Sequence, residues 1–403
     1  MIFTVRDMPL QFLYEAAGEK AAEAVLTDGV LTVSVFYRGH EKPLRLTGSA
    51  RGGDTVRLTV RPYRLELAIG QRLQDEEWPF DTCLLTPETR EKTGNPISVL
   101  PAEDTPYPPS VVGRFTGAEE WRPDENEVVG ECIPYAEPDR YHVLYLKDRH
   151  HHCSKWTKGA HQWEHISTKD LKVWDIHPMA IPIDDPMEGS ICTGSWIAFR
   201  GVQYLYYTVR TVDGSPAPIR RSVSLDGYHF IKDKAFSFTL SETYKGVSAR
   251  DPKVVLGEDG LLHMFLTTSL ASTGKGCLAH LTSEDGEHFT EVGTIYEDPE
   301  WVEPECSDYF ALNGRYYLIF SRRGQGQYRV SDKPFSDFKA PENPVIPCHS
   351  VPKCAIFKGR ILFAGFKAIG GYAGNMTFTE AKQEKDGTLS FFPVRETEES
   401  KRG

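Results

Sequence analysis

Residues 249–266 read ARDPKVVLGEDGLLHMFL, and that stretch decides the fold. An acid, Asp251, opens a short apolar run; a Gly-Glu-Asp-Gly turn follows; an alternating apolar strand then starts at His263. The same order returns on either side. In PECSDYFALNGRYYLIF, residues 304–320, Glu305 precedes a strand from Tyr316, and in GECIPYAEPDRYHVLYL, residues 130–146, Glu131 precedes a strand from Tyr141. Period-two runs bounded by Gly, Asp and Asn are the mark of β-hairpins. Strand starts of this kind also fall at Tyr204 and Ile361, giving intervals of 63, 59, 53 and 45 residues. A second landmark returns with them as a turn: Ser167-Thr168-Lys169-Asp170, Ser224-Leu225-Asp226-Gly227, Ser283-Glu284-Asp285-Gly286 and Ser331-Asp332. Five returning units predict an all-β, five-bladed β-propeller over residues 129–403, with loop insertions lengthening the period. A single large sandwich is the simpler alternative, and the returning landmarks disfavour it.

Innermost propeller strands start beside a central channel. Acids at matching stations of different blades therefore share one small space. Glu131, Asp251 and Glu305 are such acids, and converging carboxylates are what glycosidic bond cleavage needs. A lone acid at a strand start is ordinarily a solvated turn residue; the repeat register sets these three apart. Asp170, Asp226 and Asp285, inside the turn landmark, read as turn residues.

Upstream, residues 1–80 carry short alternating strands, GVLTVSVFY, DTVRLTV and YRLELAIG, and predict a small β-sandwich-like domain. Only EAAGEKAAEAV, residues 15–25, hints at a helix. Residues 81–128, rich in Pro, Thr and charge, read as an extended linker draped on a neighbour.

Composition narrows the function. The chain has 403 residues, 40% of them hydrophobic and 11% aromatic, with a net charge of −11 and no basic block. That balance argues against nucleic-acid and anionic-membrane partners, and no apolar run reaches membrane-spanning length. The N-terminus lacks the basic and apolar regions of a secretory signal, and the eight cysteines include no CxxC pair. Free thiols and a cytoplasmic location are expected. No cofactor or metal is expected: His150-His151-His152 with Cys153 lacks a spaced partner and reads as an exposed loop.

Longer motifs carry a family likeness. Ala249-Arg250-Asp251-Pro252-Lys253 resembles the arginine-aspartate-proline motif of glycoside hydrolase family 32, the β-fructofuranosidases. Glu305-Cys306-Ser307-Asp308-Tyr309-Phe310 resembles its glutamate-cysteine motif. HQWEHISTKDLKVWDIHPMAIP from His161, GSICTGSW from Gly189 and GGYAGNMTFTEAKQEKDGTLSFFPV from Gly370 resemble family segments in the same order. The related family 43 arabinanases and xylosidases share the pattern. The resemblance implies a propeller that cleaves terminal furanosyl residues, β-fructofuranoside-like, acting on the ends of small oligosaccharides. It also implies Asp251 as transition-state stabiliser and Glu305 as general acid. The family has an aspartate as its first acid; this chain offers Glu131, whose carboxylate reaches about 1.5 Å further. The family usually places its β-sandwich after the propeller, whereas this chain has a β-rich unit before it.

On chemical grounds Glu305 needs a raised pKa, with Cys306, Tyr309 and Phe310 as its expected apolar surroundings. Arg250 is expected to lower the pKa of Asp251 and keep it charged. Candidate substrate contacts are Arg250, Asp148, Arg149, Trp156, His161, Ser195 and Asp308, with Thr193 beside Ser195. Trp163 reads as blade core, and His165 as a hydrogen-bonding residue within its blade. Alternative readings are a family 43-like arabinofuranosidase or xylosidase, a related transferase or phosphorylase, and a carbohydrate-binding propeller without turnover. The N-terminal β unit could also mediate a homo-oligomer.

Overall fold

The structure, a computed structural model, describes residues 2–5, 10–16, 19–38, 41–61, 64–70, 72–77, 90–91, 109–124, 127–149, 161–185 and 187–398. It is nearly all β, and five antiparallel blades form a propeller. Their innermost strands are Glu127–Ala136, Glu188–Phe199, Arg250–Leu256, Glu305–Leu312 and Val345–Phe357. Each neighbours the next, and the fifth returns to the first, so the ring closes. The second strands, Tyr141–Arg149, Val202–Thr211, Leu262–Ser269, Arg315–Arg322 and Arg360–Ala368, begin at or within two residues of the five starts read from the sequence.

Short-range chemistry sets the hairpins. The turns at Arg200-Gly201, Asn313-Gly314 and Lys358-Gly359 have both residues in the left-handed region, with φ of 50° and 81°, 48° and 73°, and 50° and 78°. This is the two-residue type I′ geometry that matches strand twist. The recurring Ser-x-Asp landmark is a capped turn. Asp226 Oδ1 accepts from the Tyr228 and His229 amides, and Asp285 Oδ1 accepts from those of Glu287 and His288. Asp170 does the same for Lys172 and Val173. These aspartates are turn residues, as expected.

The long strand Val345–Phe357 serves two blades. Val345 pairs with Gln327 at the outer edge of blade four, while Lys353 to Phe357 pair with blade five. Residues 109–124, expected to be linker, belong with the propeller. Gly113–Thr116 pairs with Val173–Ile176 at the edge of blade one, and Phe115 stacks on Trp121 at 4.1 Å.

Upstream lie two antiparallel sheets. One holds Ile2–Thr4, Thr55–Arg61, Arg64–Ile69 and Arg72–Glu77; the other holds Leu10–Ala16, Glu19–Thr27, Val30–Val35, Leu44–Ser49 and Arg90–Glu91. A shared core includes Val33, Leu46, Leu58 and Leu67. The helix hinted at over residues 15–25 is overturned: its described residues lie in strands, and Ala22 and Ala24 pair with Val35 and Val33. Helix propensity is a weak prior, and fully buried alanines suit the close approach of packed strands. Among the described residues no helix is long and apolar enough to cross a membrane. The six described cysteines are free and buried.

Blade one contains a stack of buried histidines. His142 Nδ1 and His165 Nε2 are 3.0 Å apart, and the His165 and His177 rings lie 4.3 Å apart. The Ser110 carbonyl accepts from His177 Nδ1, and the Ser167 hydroxyl donates to its Nε2 at 2.7 Å, so the neutral ring satisfies both contacts. Burial depresses the pKa of all three, that of His177 to about 4. A histidine with a folded pKa below its unfolded value of about 6.5 stabilises the fold above pH 6.5, and this is lost as pH falls toward 4. His177 alone accounts for about 3 kcal/mol at 1.36 kcal/mol per pKa unit. Urea unfolding is therefore expected to show stability falling from pH 7 to pH 5, and His177→Gln should flatten that slope. An unchanged slope in His177→Gln would contradict this assignment.

Candidate active site

All five innermost strands carry a register shift at one level of the ring. The shifts fall between Val129 and Cys132, Ile191 and Gly194, Arg250 and Lys253, Glu305 and Asp308, and Ser350 and Lys353. A bulge re-aims the side chains it carries. Here the bulge residues Glu131, Cys192, Thr193 and Asp251, with Arg250 and Glu305 one position before their bulges, line one small cavity. Asp251 and Cys306 hold the same station and share a left-handed backbone, with φ of 56° and 52°.

The three acids come together, but not at matching stations. Glu305 is the residue before its bulge, Asp251 is the first within, and Glu131 is the second. The residue of blade one equivalent to Asp251 is Gly130. The sequence spacing hid this offset because the turns after the bulges differ in length, with Ala136 pairing Tyr141, Leu256 pairing Leu262 and Leu312 pairing Arg315. A small cavity is lined by Glu131, Asp251 and Glu305 with Arg250, His161 and Thr193.

Arg250 organises the acids. Its Nη1 donates to Glu303 Oε2 at 2.6 Å and its Nη2 to Glu305 Oε1 at 2.9 Å, while Nε lies 3.6 Å from Asp251 Oδ2. Burial works against this cation, yet Asp251, Glu305 and Glu303 together raise its pKa. Burial also acts on Glu303, but Arg250 and the Ser269 hydroxyl hold its carboxyl below the usual range. Asp251 goes the other way. Burial pushes its pKa up, Arg250 pulls against it, and the charges of Glu131 and Glu305 add to the rise. The expectation that Arg250 would leave Asp251 depressed is thus corrected: desolvation of a carboxyl only 5% exposed outweighs one cation. Asp251 Oδ2 accepts from the Cys306 amide at 3.1 Å, which fixes the carboxyl across blades three and four.

Glu305 does not sit in the expected apolar envelope. Tyr309 stacks on Phe335 at 5.1 Å and Phe310 on Tyr317 at 4.5 Å, both within blade packing. Only Cys306 of that trio belongs to the site.

The expected substrate contacts divide. His161 lines the cavity and its Nδ1 lies 3.0 Å from Ser190 Oγ. Ser195 does not line it: its hydroxyl accepts from the Val254 amide at 3.0 Å and donates to the Val254 carbonyl, stitching blade two to blade three. Thr193, two residues earlier, takes the cavity position. Asp308 does not line the cavity either: it lies 2.5 Å from Lys253 Nζ and accepts from the Cys354 amide at 2.6 Å, contacts that tie neighbouring strands together. Asp148 is buried at the end of its strand, where its charge bears on Tyr372. Trp163 is fully buried core, and His165 bonds within its blade, as expected. Trp156, the side chain of Arg149 and the His150–Cys153 run lie outside the described residues. Among the described residues no group of three or more His, Cys, Asp or Glu could hold a metal ion.

Sequence reasoning missed two residues. Glu303 carried a signal, as a second acid two positions before Glu305. Tyr372, which donates to Glu131 Oε2, carried none.

Residues 116–337, more than half of the chain, match the family model for the glycosyl hydrolases family 32 N-terminal domain. The chain belongs to glycosyl hydrolase family 32. Sucrose-6-phosphate hydrolase of Escherichia coli is 30% identical over 195 residues, covering 46% of this chain and 39% of the relative. Sucrose-6-phosphate hydrolase of Zymomonas mobilis is 28% identical over 240 residues, covering 54% and 43%. The matches thus span about two fifths of the length of these curated family 32 relatives. Among solved structures, the complex of fructan 1-exohydrolase IIa from Cichorium intybus with 1-kestose has a TM-score of 0.57 at 18% identity, covering 71% of this chain and 61% of that one. The five-bladed propeller is the fold they share.

Proposed function

We propose that this family 32 member hydrolyses terminal β-fructofuranosyl residues from small fructosides, sucrose, sucrose 6-phosphate or short fructans. The observation that carries this reading is the convergence of Glu131, Asp251 and Glu305 on one cavity, with Arg250 bound to one of them and beside another. In the proposed reaction Glu305 gives its proton to the leaving oxygen as the glycosidic bond breaks. The Glu131 carboxylate attacks the anomeric carbon, forming a covalent fructosyl ester. Glu305, now ionised, takes a proton from water, which attacks the same carbon and frees Glu131. Asp251 faces the ring hydroxyls and offsets the positive charge of the oxocarbenium-like transition state. A cytoplasmic setting, with imported sugars as substrates, belongs to the same proposal.

Purified protein should release fructose from at least one of sucrose, sucrose 6-phosphate, raffinose and 1-kestose. The anomer formed first, followed by proton NMR, should keep the substrate's configuration. Folded protein that turns over none of these fructosides would sink the reading.

A further inference from the structure

Tyr372 lies between the second and third strands of blade five, Arg360–Ala368 and Gly374–Gln383. Ring closure puts that turn against blade one, where Val129 pairs with Gly374. It brings the phenol to an acid 241 residues away, with Tyr372 Oη donating to Glu131 Oε2. The ring is clamped as well as the hydroxyl: His161 lies 5.0 Å from it and Phe366 meets it edge-on at 5.5 Å.

The space for this contact comes from one missing side chain. Gly130 occupies the station that Asp251 holds in blade three, and a Cβ there would stand 2.5 Å from Tyr372 Oη. Blade one therefore carries its acid one residue later, on Glu131. Glutamate has one more rotatable bond than aspartate, so its carboxylate needs a further constraint to be placed as well.

We infer that Tyr372 is a positioning residue for the proposed cleavage: seated in the room left by Gly130, its hydroxyl fixes the Glu131 carboxylate for attack. This rests on the hydrolase reading above. Burial, and next the charge of Glu131, raise the phenol's pKa well above its ordinary value, so the hydroxyl keeps its proton and remains a donor across the neutral range.

The test is a mutant cycle on a fructoside that the wild type hydrolyses. Tyr372→Phe should lower kcat by roughly 10- to 100-fold, the scale of a misplacement on the order of 1 Å, with KM changed less than about threefold. Thermal unfolding should show Tyr372→Phe folded at the assay temperature. Gly130→Ala should cost a similar factor in the wild type by displacing the hydroxyl, and much less in the Tyr372→Phe background, where the hydroxyl is gone. Wild-type kcat in Tyr372→Phe, a loss confined to KM, or fully additive effects would each overturn the inference and leave the hydrolase reading standing. A wild type inactive on every fructoside would overturn both.

Discussion

Glu305→Gln is expected to lower kcat on sucrose by roughly 10²- to 10⁴-fold, the usual contribution of a general acid. The substitution is suited to the question because it removes the proton and little else. Glutamine keeps an oxygen where Arg250 Nη2 donates to Glu305 Oε1 at 2.9 Å, so the contact that orders the site can persist. The loss in kcat/KM, which reports the bond-breaking step, should depend on the leaving group. An alkoxide cannot depart unprotonated at a useful rate, whereas an acidic phenol can, so an aryl fructoside should lose far less activity than sucrose. Steady-state kinetics on the two substrates, with sugar binding followed by calorimetry, check this. Equal losses of kcat/KM on both would remove Glu305 from the acid's role; kcat also carries the second step, in which Glu305 acts as base on either substrate. Binding without turnover in wild type and variant alike would point to a carbohydrate-binding propeller.

How much of this was legible follows from which interactions are local. The second strands announced themselves because alternation and turn chemistry lie within one hairpin, and the Ser-x-Asp turns did so because Asp226 and Asp285 cap amides two and three residues on. Asp251 and Glu305 were legible through motif and spacing together. The offset of Glu131 was not, because a bulge of one extra residue leaves no mark on the hydrophobic pattern. Asp308 and Ser195 were misread for a related reason: a polar residue beside a catalytic motif looks like a ligand contact until its partners, Lys253 and the Val254 backbone, arrive from another strand. Tyr372 was illegible outright. Its partner sits on the other side of the ring seam, and only closure of blade five on blade one joins them.

Arg250→Met is expected to damage both stability and rate, for one electrostatic reason. Arg250 is 7% exposed and donates to Glu303 and Glu305, with Asp251 3.6 Å from its Nε. Removing it leaves carboxylates facing one another around an apolar side chain. Breaking a buried ion pair from one side typically costs 3–5 kcal/mol, and the same order is expected here. Arg250→Lys should recover part of the stability, since a point charge remains, but little of the rate, since an ammonium cannot serve Glu303 and Glu305 in the fixed geometry of a guanidinium fork. The pH dependence separates this account from simple loss of packing. Without the cation, the carboxyls of the folded variant bind protons more tightly than those of the wild type, so the variant gains stability relative to wild type as pH falls. The histidines of blade one are common to both proteins and cancel in the comparison. The stability difference between wild type and Arg250→Met, from urea unfolding, should therefore shrink between pH 7 and pH 5. A difference constant across that range would mean that Arg250 acts through its bulk, and that the carboxylates at the mouth of the channel are held apart by the bulged strands alone.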